Sequence, residues 1–444
     1  MKKLLFISYY WPPSGGPGVQ RAVKFVRYLP EYDVEPVVLT VDPAWASYPF
    51  IDHSLAKEVP GAVRVVRTRT SEPWGLVPAS IRGKRVAKPG FAGDGKPGMF
   101  TKMMRYVRGN WLIPDARRGW NGHALKAARQ LLAGDGFSAI LTTSPPHSTQ
   151  LIGMALQQEF NLPWIADLRD PWTDIYYNRA LYQGKTARRK NAALERMVLE
   201  KADAVVTVSD SLKALLASKS GLINPNKIQV IPNGFDPGDF ASLPKPAEAP
   251  REGDNLFRIA YTGTMSEAYP VDGFLLALRQ FQRCHPEAEL SIRFTGQVSN
   301  DILQRFKASG IAGHLTFDGY ADHDRALQNM LASDVLLLII PDVPHNAGIL
   351  TGKLFEYMGS RRPVLGFGPV DGDAAGIIRR CQIGRMFGYE DIEAAAKWLS
   401  SLFRQKKAGS ILSAGNEHAG QYSRKVQARQ LSELIDAASS HEDI

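Results

Sequence analysis

The segment Asp334–Phe367, DVLLLIIPDVPHNAGILTGKLFEYMGSRRPVLGF, decides how this chain folds. It opens on an unbroken apolar run, DVLLLII, passes through a turn-rich stretch with two glycines, and continues into the helical pattern KLFEYMGS. It closes on a second apolar run, RPVLGF. Apolar runs without alternation are the mark of strands covered on both faces, and two such strands joined through a helix make a parallel crossover unit. The same alternation repeats along the chain. LLFISYY, PVVLTV, AVRVV, SAILTT, LPWIAD, DAVVTVS and KIQVIPN read as strands of a first half, with helices such as VQRAVKFVRYL, HALKAARQLLA and LERMVLEKA between them. After the proline-bearing stretch DPGDFASLPKPAEAPREGDNL, read as a linker over residues 236–256, the pattern restarts with LFRIAYTG, GFLLALRQF, LSIRFTG, HLTFDGY, DVLLLII, RPVLGF and GRMFG.

The fold class expected is therefore α/β, with two tandem doubly wound, Rossmann-like domains of parallel sheets facing a central cleft. The domains are placed at 1–235, with a basic insertion near 70–118, and at 257–415, followed over 416–444 by a helix crossing back to the first domain. A length of 444 residues at 44% apolar composition suits two such cores. The two cysteines, Cys284 and Cys381, stand far apart without metal-ligand spacing, so neither a disulfide framework nor a zinc site is indicated. The start, MKKLLFISYYWPPSGG, turns after a short apolar run and reads as a first strand rather than a leader. No apolar run approaches the ~20 residues a membrane-crossing helix requires. A cytoplasmic protein is expected, peripheral on the inner face of the cell membrane.

A formal charge of +10 points to anionic partners. Between Arg82 and Arg108 eight bases stand against one acid, Asp94, with Met99, Phe100, Met103, Met104, Tyr106 and Trp111 among or beside them. That mixture fits an anionic membrane surface. Nucleic-acid binding is not expected, since no recognised motif for it accompanies the bases.

Three segments follow strands of the first half. WPPSGGPGVQ places Gly15 and Gly16 before the first helix, where glycine lets main-chain amides approach a ligand and the helix terminus favours an anion. TSPPHSTQ places His147 just past a strand end, and DLRDPWTD does the same with Asp167, Arg169 and Asp170. Charges gathered there are expensive without a partner. In the opening segment GxxxGK is one residue short of a Walker loop, and Leu354 follows Lys353 where a metal-binding hydroxyl would stand. What remains is a diphosphate seat built by Ile349, Leu350, Thr351, Gly352 and Lys353 at a helix start, with Glu356 one turn on to accept hydrogen bonds from a ribose.

These motifs in this order resemble the family 4 retaining glycosyltransferases of GT-B architecture: the Gly15–Gly16 loop, VSDSLKALL, VIPNGFD, YTGTM and KLFEYMGSRRPVL. The forms PPHS, DLRDPW and TGKLFEYMGSRRPVL resemble a bacterial branch of cell-surface polysaccharide synthesis. The resemblance implies a nucleotide-diphosphate sugar as co-substrate, no separate cofactor, no metal, and a saccharide or lipid-linked acceptor. It implies that Glu356 holds the donor ribose, that Gly263 and Thr264 of YTGTM and Gly319 and Tyr320 of FDGY line the donor, and that Gly15 and Gly16 close over it. His147, Asp170 and Lys353 then stand as catalytic candidates, with Asp167 and Arg169 on the acceptor side. The first glutamate of the family's pair would fall at Gly348, and the usual bases after YTGTM are missing, which makes Lys353 the candidate cation for the phosphates. Asp371-Gly372-Asp373 lies in a glycine-rich turn and is not expected to hold metal. An epimerase of the same architecture and an inactive donor-binding subunit are the alternatives.

Overall fold

The computed structural model describes residues 1–49, 51–72, 98–134, 136–243, 253–410, 412–415 and 417–440. Of the basic region, Arg82, Lys84, Arg85, Lys88 and Lys96 lie outside these residues, as does 244–252 of the proline-bearing stretch.

The chain divides into two compact units. The first holds seven parallel strands, β1 Lys2–Ile7, β2 Val34–Val41, β3 Val65–Thr68, β4 Phe137–Ser144, β5 Trp164–Leu168, β6 Ala204–Thr207 and β7 Ile228–Val230, in the order β3-β2-β1-β4-β5-β6-β7. One apolar core lies against Leu5, Ile7, Ile140 and Trp164 on one face. A second lies against Leu4, Phe6, Leu141 and Ile165 on the other. Successive residues of one strand thus enter opposite cores, which is why these strands are apolar throughout rather than alternating. The second unit holds β8 Leu256–Thr262, β9 Glu289–Thr295, β10 Leu315–Gly319, β11 Val335–Ile339, β12 Val364–Phe367 and β13 Gly384–Phe387, ordered β10-β9-β8-β11-β12-β13 and parallel. It too is packed on both faces.

Each sheet reverses its strand order once, at β1/β4 in the first unit and at β8/β11 in the second. Beyond the carboxyl ends of strands at such a reversal the flanking loops diverge and leave room for a ligand.

Two segments differ in detail from the sequence expectation. The stretch from Asp236 opens with a five-residue helix, Pro237–Ala241, because Asp236 caps it by accepting the Gly238 amide at 2.9 Å and Phe240 packs on Gly359. The last helix runs Arg424–Ser440, within the expected 416–444 but starting later. His418 takes a left-handed turn at φ 57°, a short 3-10 turn follows at Ala419–Tyr422, and Ser423 is extended. This helix belongs to the first unit, where Ala428, Leu431, Leu434 and Ile435 join the core beneath helix Pro17–Tyr28. Among the described residues no helix is long and apolar enough to cross a membrane.

Candidate functional site

In the second unit the loops after β8 and β11 meet. Gly263, just past β8, turns at φ 98°, and a methyl group placed on it would lie 3.3 Å from Lys353 Cε and 3.5 Å from Nζ. Glycine is needed there for both reasons, since other residues resist that backbone angle and a side chain would crowd the lysine. Lys353 is aimed at this loop by a chain of contacts. Its ammonium donates to Tyr261 Oη at 2.5 Å and lies 4.1 Å from the Tyr261 ring centroid and 5.6 Å from that of Tyr269. Tyr261 Oη in turn donates to the Thr264 carbonyl at 2.8 Å. No carboxylate pairs with Lys353 among the described residues. Desolvation pushes its pKa down to about 7, opposed by the charge of Glu356.

Lys353 is the second residue of helix Gly352–Ser360, whose preceding residue Thr351 caps nothing with its side chain. Thr351 Oγ1 is buried without a hydrogen-bond partner among the described residues, and the amides of Gly352 and Lys353 lack intrahelical acceptors. A cation and free amides at the positive end of a helix dipole form an anion seat. Leu350 is buried and Ile349 packs on the same core, so these two could offer a ligand only main-chain groups. The helix itself is fixed by Tyr357, whose hydroxyl accepts the Thr262 amide at 3.0 Å and donates to the Leu337 carbonyl at 3.1 Å. Glu356 lies one turn from the seat, its Oε1 3.7 Å from His323 Nδ1, and His323 Nε2 is 3.6 Å from Asp239 Oδ2.

Tyr320 follows β10 and is half exposed, while the neighbouring Phe317 stacks on Phe294 at 5.1 Å. Asp318 is held by Thr295 Oγ1 and Asn329 Nδ2, both at 3.1 Å, and the Gly319 carbonyl accepts the Gly296 amide at 2.6 Å. Asp373 opens helix Asp373–Arg380. Among the described residues no three His, Cys, Asp or Glu side chains converge in a way that could hold a metal ion.

In the first unit the loops after β1, β4 and β5 converge on Arg169. Its Nε donates to the Ser144 carbonyl at 3.0 Å and its Nη2 to the Pro145 carbonyl at 3.4 Å. The guanidinium lies so close to Gly18 that a methyl group there would fall 1.9 Å from Nη1. Gly15 is buried in that loop, and Gly16, at φ 109°, caps helix Pro17–Tyr28. His147 caps helix Ser148–Phe160 and stacks on Trp172 with ring centroids 4.9 Å apart and planes 8° from parallel. Asp115 steadies the same turn, accepting from the Ser148 amide at 2.7 Å and its hydroxyl at 2.9 Å. Burial and then the charge of Arg169 push the His147 pKa down to about 3, so the imidazole is neutral near neutral pH, and its Nδ1 has no partner among the described residues. Asp170 is partly buried and makes no hydrogen bond among the described residues. Desolvation raises its pKa, against the pull of Arg169.

Asp167 faces inward. Its carboxylate pairs with buried Arg21 at 3.2 Å and accepts from Thr143 Oγ1 at 2.7 Å, with Arg169 farther off at 4.0 Å. Arg21 also donates to the carbonyls of Ile231 and Pro232. The sequence reading missed Arg21, which looks like an ordinary base within an amphipathic helix. It also missed Tyr261 and Tyr269 around Lys353 and the stacking role of Trp172.

A glycosyl transferase 4-like domain is matched by residues 15–234. A glycogen synthase of Mycobacterium tuberculosis is 24% identical over 187 residues, which is 42% of this chain and 42% of that protein, so the alignment spans less than half of the curated relative. Among solved structures, sucrose-phosphate synthase from Thermosynechococcus elongatus superposes with a TM-score of 0.61 at 15% identity, covering 100% of both chains. Anabaena Alr3699/HepE in complex with UDP-glucose gives 0.59 at 14% identity over 98% of this chain and 100% of that one. Residues 15–234 thus match a glycosyl transferase 4-like domain, and the two doubly wound units have the fold of the GT-B glycosyltransferases.

Proposed function

We propose that the protein is a retaining, metal-independent hexosyltransferase that moves a sugar from a nucleotide-diphosphate sugar to a saccharide or lipid-linked acceptor in surface polysaccharide synthesis. It works on the cytoplasmic side, at the membrane where such an acceptor lies. The observation that carries this reading is Lys353, a desolvated ammonium without a carboxylate partner, fixed over Gly263 at the uncapped start of a helix that carries Glu356 one turn later.

The donor diphosphate occupies the amides of Gly352 and Lys353 and the Lys353 ammonium, and Glu356 takes the ribose hydroxyls. Tyr320 and Gly319 border the base, and Thr264 and Gly263 border the phosphates. As the glycosidic bond breaks, charge grows on the diphosphate, and a preorganised cation with fixed amides stabilises that charge without reorganising; losing one such donor costs roughly 10²–10³ in rate. A donor phosphate oxygen receives the proton of the acceptor hydroxyl on the face the leaving group vacates. His147, being neutral, contributes a hydrogen bond rather than a titrating acid, and Asp170 orients the acceptor. Arg169 and Asp167 hold the loops that carry them, and Gly15 and Gly16 shape the turn beside them.

The neutral Gly348, where the family places the sugar-contacting glutamate, favours a second reading, a donor-binding subunit without transfer activity. One experiment separates these. Purified protein is incubated with UDP-, GDP- and other nucleotide sugars, with and without a lipid-linked saccharide, and product is followed. Transfer, or slow donor hydrolysis that Lys353→Ala abolishes, supports the enzyme. Tight donor binding without either supports the subunit, and release of an altered free sugar marks an epimerase.

A further inference from the structure

Two neighbouring helices of the first unit carry a surface that folding does not explain. Helix Met99–Asn110 exposes Met99 (88%), Met103 and Tyr106, the last two each more than half exposed, and Trp111 beyond its end is 74% exposed. Residues 99, 103 and 106 are spaced four and three apart, so they share one face. Single exposed apolar side chains are ordinary, but four within thirteen residues make a patch. Lys102 is exposed beside them, and no acid occurs from Met99 to Trp111.

Helix Lys185–Lys201 begins with Lys185, Arg188, Arg189 and Lys190, all exposed, with no acid in its first turn and no ion pair on these four among the described residues. The first acid of that helix, Glu195, is buried. Four cations in the first two turns lie at the positive end of the helix dipole, where acids are favoured, so they work against the helix that bears them. The two elements are fastened together. Asn110 Nδ2 donates to the Tyr182 carbonyl at 3.1 Å, its Oδ1 accepts the Gly184 amide at 2.7 Å, and a methyl group on Gly109 would fall 2.3 Å from the Leu181 carbonyl oxygen.

We propose that this combined surface docks on an anionic lipid layer, with Met99, Met103, Tyr106 and Trp111 entering the boundary between headgroups and acyl chains and Lys102, Lys185, Arg188, Arg189 and Lys190 meeting lipid phosphates. Methionines and a tryptophan gain by leaving water for hydrocarbon, and the cations of the two fastened helices match the charge of the headgroups. A nucleic-acid backbone would satisfy the cations but leave the methionines wet. The proposal deepens the functional reading by naming the surface that meets a lipid-linked acceptor, yet its test reads membrane binding alone, so the two can fail separately.

The protein is sedimented with vesicles of phosphatidylcholine, with or without roughly 30% phosphatidylglycerol. Binding is expected only with the anionic lipid and is expected to weaken with salt. The triple variant Arg188→Gln/Arg189→Gln/Lys190→Gln should lower partition on the order of 100-fold. Met103→Ser/Trp111→Ser should lower it independently, and both variants should keep the nucleotide-sugar affinity of the parent. Equal binding to neutral vesicles, unchanged partition in both variants, or retention on an oligonucleotide that anionic vesicles fail to compete away would overturn the proposal.

Discussion

Lys353 offers the sharpest test, because its charge state and its proposed task are coupled. Burial against Tyr261 and Tyr269 holds its pKa at about 7, with Glu356 the acid that opposes the shift. A bound diphosphate would stabilise the ammonium and raise that value. Binding then draws on the protonated form, of which about one molecule in ten remains at about pH 8. Affinity for a nucleotide sugar should therefore be flat below about pH 7 and fall roughly tenfold per pH unit above it, until the bound-state pKa is reached. Each binding event at about pH 8 should take up close to one proton. Lys353→Met removes a charge-assisted hydrogen bond worth about 1.5–3 kcal/mol, or roughly 10- to 150-fold in affinity at low pH, and it should abolish both the slope and the proton uptake. Calorimetry in two buffers of different ionisation enthalpy measures uptake directly, and a nucleotide sugar is the right ligand because its diphosphate does not titrate near neutrality. No proton uptake at about pH 8, or a variant binding as tightly as the parent at about pH 6, would refute the assignment. The same depression has a stability consequence: between about 7 and the ordinary lysine value the unfolded chain binds the extra proton, so this group's contribution to stability rises with pH across that window.

Other outcomes follow from the same geometry. Glu356→Gln should lose about tenfold in affinity for a ribonucleotide sugar and little for the 2′-deoxyribose analogue, so the ratio of the two measured affinities is the check. Trp172→Leu removes the ring stacked on His147 and admits water, so the imidazole pKa should climb from about 3 towards the ordinary histidine value, as read by NMR titration; a value that stays put would show that the stack is not what desolvates it. Arg21→Met leaves the buried Asp167 without its cation and should cost about 3–5 kcal/mol in urea unfolding, with Arg21→Met/Asp167→Leu less destabilised than the single change.

Much of the fold was legible in the primary structure. A strand buried on both faces has to be apolar at every position, so runs such as DVLLLII and DAVVTVS announce themselves without any partner in view. The strand ends before the loops after β1, β4, β5, β8 and β11 were legible for a related reason: an apolar run that stops at glycines, a histidine or charges has reached its end. Helix starts were less visible, as the last helix demonstrates. Its periodicity extends back past His418, but a left-handed residue and a 3-10 turn break the backbone there, and neither leaves a mark on hydrophobic spacing.

What local sequence determined, then, was which residues stand at strand ends. Which of them meet was decided by strand order. Because β8 lies beside β11, Gly263 comes within van der Waals reach of Lys353, ninety residues on, and Tyr261 aims the ammonium. Because helix Pro17–Tyr28 packs across the sheet, Arg21 meets Asp167 and turns an apparent site carboxylate into an internal anchor. Side-chain pattern reports burial residue by residue, whereas charge pairing and desolvation depend on distances between segments that only the closed sheet sets.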